Sequence, residues 1–145
     1  MRKLLTLIIG AALLSGCQTA DDALTTISTP VTVSGPAAGA IAGDMASRLA
    51  ERISPAAMTT IKMDKDTSEY ATALEAALKG WGYAVVTDGK VEKDQNPVEL
   101  AWSLDSFDGQ ILARLTMPSI ALGRAYSPAA AGATPASPLS IMRRN

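Results

Sequence analysis

The stretch VELAWSLDSFDGQILARLTM, residues 98–117, has the clearest structural pattern in the chain. Apolar and polar residues alternate on both sides of Asp108-Gly109, which is typical of strands with one buried face. An Asp-Gly pair between two such runs favours a tight turn whose residues have positive φ. The stretch therefore predicts a β-hairpin with these inward-facing residues: Val98, Leu100, Trp102, Leu104, Ile111, Ala113, Leu115 and Met117.

Two further strands and a helix are predicted before the hairpin. Residues 59–63 and 83–87 are rich in strand-forming side chains, and the second run stops at Asp88-Gly89, another hairpin signal. Between the two runs, Asp66 and Glu69 predict the start of a helix with Asp66 as its N-cap. Apolar residues at helical spacing then form one predicted stripe: Tyr70, Leu74, Ala77, Leu78 and Trp81.

Another helix is predicted at residues 37–53, where Ile41, Met45, Leu49 and Ile53 recur every four positions. On its polar side an acidic and a basic residue lie four positions apart, in the favourable order: Asp44 and Arg48. Glycines at a similar spacing would also suit helices that pack closely inside a membrane. Charged residues follow them too soon for a spanning segment, so we expect this helix to pack within its own domain or against a neighbour.

The order of these elements predicts an α+β fold, in which one or two helices pack on a small, mostly antiparallel sheet. An α/β fold is the alternative if residues 59–63 and 83–87 pair in parallel around the helix between them, and such a βαβ unit also fits inside a mixed sheet. Residues 120–126 are expected to add a last strand at the sheet edge. Residues 127–145 are dominated by Ala, Pro, Ser, Gly and Thr, which predicts a flexible, disordered tail.

The N-terminal residues have the pattern of a secretory signal. Arg2 and Lys3 precede an apolar run over residues 4–14, which is too short to span a bilayer. The segment LSGC at residues 14–17 then resembles the lipobox of bacterial lipoproteins, which implies that Cys17 becomes the mature N-terminus with S-diacylglycerol and N-acyl groups. Several acyl chains hold a protein stably at a membrane. The alternative, a buried inert thiol, lacks a core at this position.

These features divide the chain into four predicted parts. They are a signal peptide at 1–16, a lipidated tether at 17–36, a small α+β domain at 37–126 and the flexible tail at 127–145. Gln18 follows the cysteine, whereas aspartate at that position tends to retain the resembling lipoproteins at the inner membrane. We therefore expect an anchor in the outer membrane with the domain facing the periplasm, and the inner membrane is the alternative.

Composition argues against several functional classes. The chain has 13 basic and 14 acidic residues, no histidine and one cysteine. The charge balance argues against direct binding to nucleic acid. Without histidine, the commonest general base and metal ligand are missing, and lipidation of Cys17 leaves no thiol for catalysis or zinc. We therefore expect no cofactor, no metal and no small-molecule substrate.

Carboxylates remain as candidates for an envelope enzyme such as a peptidoglycan hydrolase. The carboxylates considered are Glu69, Asp105 and Asp108. Each already has a structural explanation as a capping or turn residue. We therefore predict that the protein is not an enzyme.

The last residues of the predicted tail differ from the rest of it. Leu139, Ile141 and Met142 form a short apolar patch, and two arginines follow. A frayed terminus is one interpretation of this patch. The other is a docking peptide that adds a strand to the sheet of a partner, with Leu139, Ile141 and Met142 as its binding residues.

Three stretches together make the chain resemble the TrbH family of conjugal transfer lipoproteins: CQTADDAL at 17–24, EYATALEAALKGWGY at 69–83 and SPLSIM at 137–142. The resemblance covers essentially the whole chain. It implies a structural component of the type IV secretion apparatus that carries plasmid DNA between cells, with the lipid bilayer and other channel subunits as partners. Among functional residues, the resemblance extends to Cys17 alone. A plasmid-exclusion or surface-recognition lipoprotein is the alternative function.

Overall fold

The computed structural model describes residues 29–92 and 96–145. Within these ranges two α-helices and a mostly antiparallel set of strands confirm the predicted α+β class. In chain order the elements are β1 (Thr29–Pro30), α1 (Gly35–Ala50), a 3-10 turn (Ala56–Met58), β2 (Thr60–Lys62), α2 (Glu69–Gly80), β3 (Ala84–Val86), β4 (Val98–Glu99), β5 (Ala101–Phe107), β6 (Gln110–Thr116), β7 (Ile120–Ala129), β8 (Gly132–Pro135) and β9 (Ser140–Arg143).

The predicted hairpin forms the centre of the larger sheet. β5 and β6 pair antiparallel with Leu104 opposite Ala113, and the turn between them consists of Asp108 (φ 50°) and Gly109 (φ 75°). β7 pairs with the other side of β6, so the strand order is β1-β5-β6-β7, with β8 and β9 both along the outer side of β7. The hairpin prediction is therefore confirmed.

A second, smaller sheet is parallel. Its order is β3-β2-β4, and β2, α2 and β3 form the βαβ unit that the sequence pattern left open. Two predictions are wrong here. Asp88-Gly89 does not close a hairpin, because β3 pairs in parallel with β2. The predicted strand at 98–105 divides at Leu100, since its first part joins the smaller sheet as β4 and the rest is β5.

The two helices pack on each other, and α1 also packs on β6, β7 and β8 of the larger sheet. Six residues of the two predicted apolar stripes have no measurable exposure: Ile41, Met45, Leu49, Tyr70, Leu74 and Leu78. These six residues are at the centre of one continuous hydrophobic core that includes the inward face of the larger sheet. The helical spacing in the sequence therefore identified the core-facing side of each helix.

Two details of α2 differ from the prediction. The N-cap is Ser68, whose hydroxyl accepts a hydrogen bond from the amide of Ala71 at 3.2 Å. Asp66 instead accepts a hydrogen bond from the amide of Ser68 at 2.7 Å, and hydrogen bonding to Ser68 lowers the pKa of Asp66. Trp81, predicted on the buried stripe, is 51% exposed, because the helix ends just before it.

The C-terminal residues form strands, so the predicted disordered tail at 127–145 is wrong. β7 extends to Ala129 and lies inside the sheet, not at its edge as predicted, because β8 and β9 pair along it. The side chains of this segment are mostly exposed, in keeping with its composition. Backbone pairing with β7 therefore orders a segment that its apolar content alone would leave unfolded.

Residues 1–28 lie outside the described part of the chain. This range includes the predicted signal peptide and Cys17. The first described residues form β1, which pairs with β5 within the range predicted as tether. Over residues 29–92 and 96–145, no helix combines the length and the apolar character needed to cross a membrane.

Candidate functional site

The carboxylates considered for catalysis lie on three separate elements. Glu69 begins α2, and its carboxylate accepts a hydrogen bond from the amide of Gly35 at the start of α1. Asp105 is buried on β5 and pairs with Arg114 of β6 at 3.4 Å, while Asp108 is in the hairpin turn. Glu69 and Asp105 therefore bind other residues of the fold, and Asp108 belongs to the turn. In the described ranges, no group of three or more acidic residues is arranged to hold a metal ion.

A partly buried polar cluster joins α1 to the larger sheet. We call Asp44, Arg124 and Tyr126 the Asp44 cluster. Arg124 lies opposite Ala113 in the β6–β7 register, on the same inward face as Leu122 and Tyr126. An unpaired charge at such a position would be costly. Asp44 of α1 supplies the partner: one of its carboxylate oxygens accepts hydrogen bonds from Arg124 Nη1 at 2.9 Å and from the Tyr126 hydroxyl at 2.6 Å.

The Asp44 cluster changes the proton affinity of Tyr126. The side chain is almost fully buried, and burial, followed by the hydrogen bond to Asp44, raises the pKa of Tyr126 far above its ordinary value. The hydroxyl therefore stays protonated and remains a donor to Asp44 well into the alkaline range. Among the described contacts, the hydroxyl of the neighbouring buried Tyr70 has no hydrogen-bond partner, and burial alone raises its pKa.

The Asp44 cluster also holds the C-terminal segment. Arg124 Nε donates a hydrogen bond to the carbonyl oxygen of Ser137 at 3.0 Å. The Ser137 hydroxyl accepts one from the amide of Ala125 at 2.9 Å. A single arginine thus connects α1, β7 and the residues that lead into β9, so the Asp44 cluster has a structural role.

Sequence reasoning treated Asp44 as an exposed helix partner of Arg48 and did not single out Arg124. The pair with Arg48 does exist, at 3.5 Å, but it is not the principal contact of Asp44. A signal was present in the strand: Ile120, Leu122, Arg124 and Tyr126 alternate, so the arginine falls on the apolar face. An arginine at such a position indicates an acidic partner close by.

The predicted partner-binding residues lie on and beside β9. Leu139 is half-buried against the core, while Ile141 is 38% and Met142 61% exposed. β9 pairs antiparallel with β7 through one edge, with Met142 opposite Ala121. No strand of residues 29–92 or 96–145 pairs with the other edge of β9. The structure thus places an accessible strand edge and two exposed apolar side chains together at one side of the sheet.

Comparison with known proteins gives two concordant matches. A family model described as conjugal transfer protein TrbH matches residues 19–145. A curated protein of Sinorhizobium fredii strain NGR234, named probable conjugal transfer protein TrbH, is 70% identical, and the match covers 100% of both chains. No solved structure matches the chain.

Proposed function

Because this chain belongs to the conjugal transfer protein TrbH family, we propose that it is a non-catalytic, lipid-anchored structural component of a plasmid conjugal transfer apparatus of the type IV secretion class. The full-length match to a conjugal transfer family is the observation that carries this proposal. The positions of the candidate catalytic carboxylates support this proposal. Glu69 is at a helix start, Asp105 is on a strand and Asp108 is in a turn.

The proposed anchor is Cys17, acylated through its sulfur and its amine. Each buried methylene contributes about 0.8 kcal/mol, so one acyl chain binds a membrane marginally and several bind stably. The anchor would confine the domain to the envelope, facing the periplasm. Gln18 favours the outer membrane, and the inner membrane is the alternative. Confinement raises the effective concentration of the domain for a channel subunit in the same envelope.

The proposed contact with a larger channel subunit is the open edge of β9. Main-chain groups along an unpaired strand edge can form hydrogen bonds with a strand of a partner. The side chains beside them then determine which partner binds. Ile141 and Met142 are exposed at this edge, and Leu139 secures its start to the core. The lipid bilayer and other transfer subunits are therefore the proposed partners, without nucleic acid or a small-molecule substrate.

The anchor is tested by Cys17→Ser in the full-length protein, with Thr19→Ala as a matched control outside the attachment position. We expect the serine variant to leave the membrane fraction or stay unprocessed, while the control keeps an acylated N-terminal peptide by mass spectrometry. Mating frequency should fall by about tenfold or more, because confinement raises apparent affinity by roughly a hundredfold or more.

An acylated, detergent-extracted Cys17→Ser protein would refute the anchor. If deletion of the gene left transfer normal and abolished plasmid exclusion, the structural role would be replaced by the exclusion role. Normal transfer together with normal exclusion would eliminate both roles.

A further inference from the structure

A cationic cleft lies where the two sheets and the end of α1 meet. Its volume is about 330 Å³, within the range of ligand sites in proteins. Three arginines line it: Arg52, just after α1, and Arg143 and Arg144, at the end of the chain. We call it the arginine cleft.

The fold brings these arginines together from segments about ninety positions apart. The amide of Arg52 donates a hydrogen bond to the carbonyl oxygen of Leu49 at 2.9 Å, which continues the last turn of α1. Arg143 lies opposite Ile120 in the β7–β9 register. The amide of Arg144 donates to the carbonyl oxygen of Ser119 at 2.9 Å, so the backbone is tied down beyond the end of β9.

The side chains that line the arginine cleft carry a net positive charge. No acidic side chain lines it among the residues that the structure describes. Within the same residues, Arg52, Arg143 and Arg144 form no ion pair, whereas Arg48 and Arg124 each pair with a carboxylate. The amide side chain of Asn145 also lines the cleft. Three like charges held around one cavity favour an anion from outside.

The rest of the cleft is suited to more than a simple anion. The half-buried side chains of Ile53 and Val98 supply apolar surface, and Met117 and Ile120 lie almost fully buried behind it. Hydroxyl groups line it as well, from Ser54 and Thr59. Guanidinium groups bind carboxylates through two parallel hydrogen bonds, and apolar surface beside them accommodates a hydrocarbon side chain.

We propose that the arginine cleft binds an acidic peptide segment of a partner protein, in which a carboxylate side chain stands next to an apolar residue. This inference rests on the proposed structural function, since it assigns the chemistry of a partner contact. Shape favours a peptide over a membrane surface, because a concave cavity admits a protruding side chain and a bilayer is broad and flat. The cleft also adjoins β9, so one partner segment reaches both the strand edge and the arginines.

The test uses the purified full-length protein in a neutral detergent and a phage-displayed library of short random peptides. We expect selection to enrich peptides in which Asp or Glu neighbours an apolar residue. In fluorescence anisotropy, replacing the acidic residues of a selected peptide by Asn and Gln should weaken binding by about tenfold or more. The double variant Arg52→Gln/Arg144→Gln should weaken binding to the same extent.

The matched control is Lys65→Gln/Lys90→Gln, which removes the same charge from two exposed residues outside the cleft and should leave affinity unchanged. Selection without acidic enrichment, or equal binding of the acidic and amide peptides, would overturn the proposal. Arginine-dependent binding of inorganic phosphate or of phosphatidylglycerol vesicles without peptide binding would replace the peptide by a free anion or a lipid surface. None of these readouts depends on Cys17, so failure here is separable from failure of the anchor.

Discussion

The Asp44 cluster and the arginine cleft contain the same side chain in opposite situations. In the cluster, Arg124 is 17% exposed and its donors reach Asp44 and Ser137. In the cleft, Arg143 and Arg144 are exposed and form no ion pair within the described residues. The difference teaches that enclosure together with pairing identifies an arginine that stabilises the fold. The donors of an exposed arginine without an ion pair remain available to a partner.

The two sites are also connected through the chain. Ser137 receives a hydrogen bond from Arg124, and a few residues later β9 delivers Arg143 to the cleft. Backbone pairing of β9 with β7 extends from Gly123 opposite Ser140 to Ile120 opposite Arg143. The Asp44 cluster therefore helps to position the arginine cleft. A substitution that disrupts the cluster is expected to displace the cleft arginines as well.

The largest expected effect is that of Asp44→Asn, which removes the charge while keeping the shape. Arg124 then loses its ionic partner in a mostly enclosed position, and removing one partner of a buried pair costs about 3–5 kcal/mol. Because Asp44 is 22% and Arg124 17% exposed, we expect a lower figure, about 2–3 kcal/mol, in the free energy of unfolding from urea denaturation.

The control for this comparison is Asp64→Asn, at an exposed carboxylate, which should change stability by less than about 0.5 kcal/mol. Hydrogen exchange should also show faster exchange in β9 for the Asp44 variant. Equal stability of the two variants would mean that the Asp44 cluster does not hold the fold together.

Local patterns were sufficient for much of the fold. The hairpin of β5 and β6 and the buried stripes of both helices follow from periods of two and about four residues, which reflect burial directly. The division of the predicted strand into β4 and β5 at Leu100 could not be predicted from these periods. A strand that changes from a parallel to an antiparallel sheet keeps the same alternation, so its partner strands are invisible in the pattern.

The C-terminal segment shows a second limit of sequence reasoning. Its composition predicts disorder, yet β8 and β9 form because β7 offers them backbone hydrogen bonds. The Asp44 cluster depends on residues about eighty positions apart, and the arginine cleft on residues about ninety apart. Such sites require the three-dimensional arrangement, although the inward position of Arg124 was readable from the alternation in β7.

An intermediate effect is expected for Tyr126→Phe, which removes the hydrogen bond to Asp44 and leaves the ring in place. A hydrogen bond to a charged acceptor contributes about 1.5–3 kcal/mol, and we expect about 1.5 kcal/mol because Arg124 still pairs with Asp44. Tyr70→Phe is the matched control, since that hydroxyl is equally buried but lacks a partner in the described residues. It should be neutral or slightly stabilising at neutral pH.

Comparison of the wild-type protein with Tyr126→Phe also tests how the free energy of unfolding depends on pH. Burial raises the pKa of Tyr126 in the folded state, so its contribution is complete below the unfolded-state pKa of about 10 and is lost as the pH rises above it. Urea titrations should therefore show the wild-type protein losing stability above pH 10 more steeply than Tyr126→Phe. A constant gap between the two proteins from neutral to alkaline pH would contradict burial of an un-ionised hydroxyl.

The smallest expected effect on stability tests the open side of the comparison. Arg144→Gln removes an exposed guanidinium without an ion pair in the described residues, so the free energy of unfolding should change by less than about 0.5 kcal/mol. The same replacement at the enclosed site, Arg124→Gln, should cost about 2 kcal/mol, because Asp44 loses its closer and less exposed cation and keeps only Arg48 at 3.5 Å. If Arg144→Gln were as destabilising as Arg124→Gln, the cleft arginines would be part of the folded framework, and their charge would not be available to a partner.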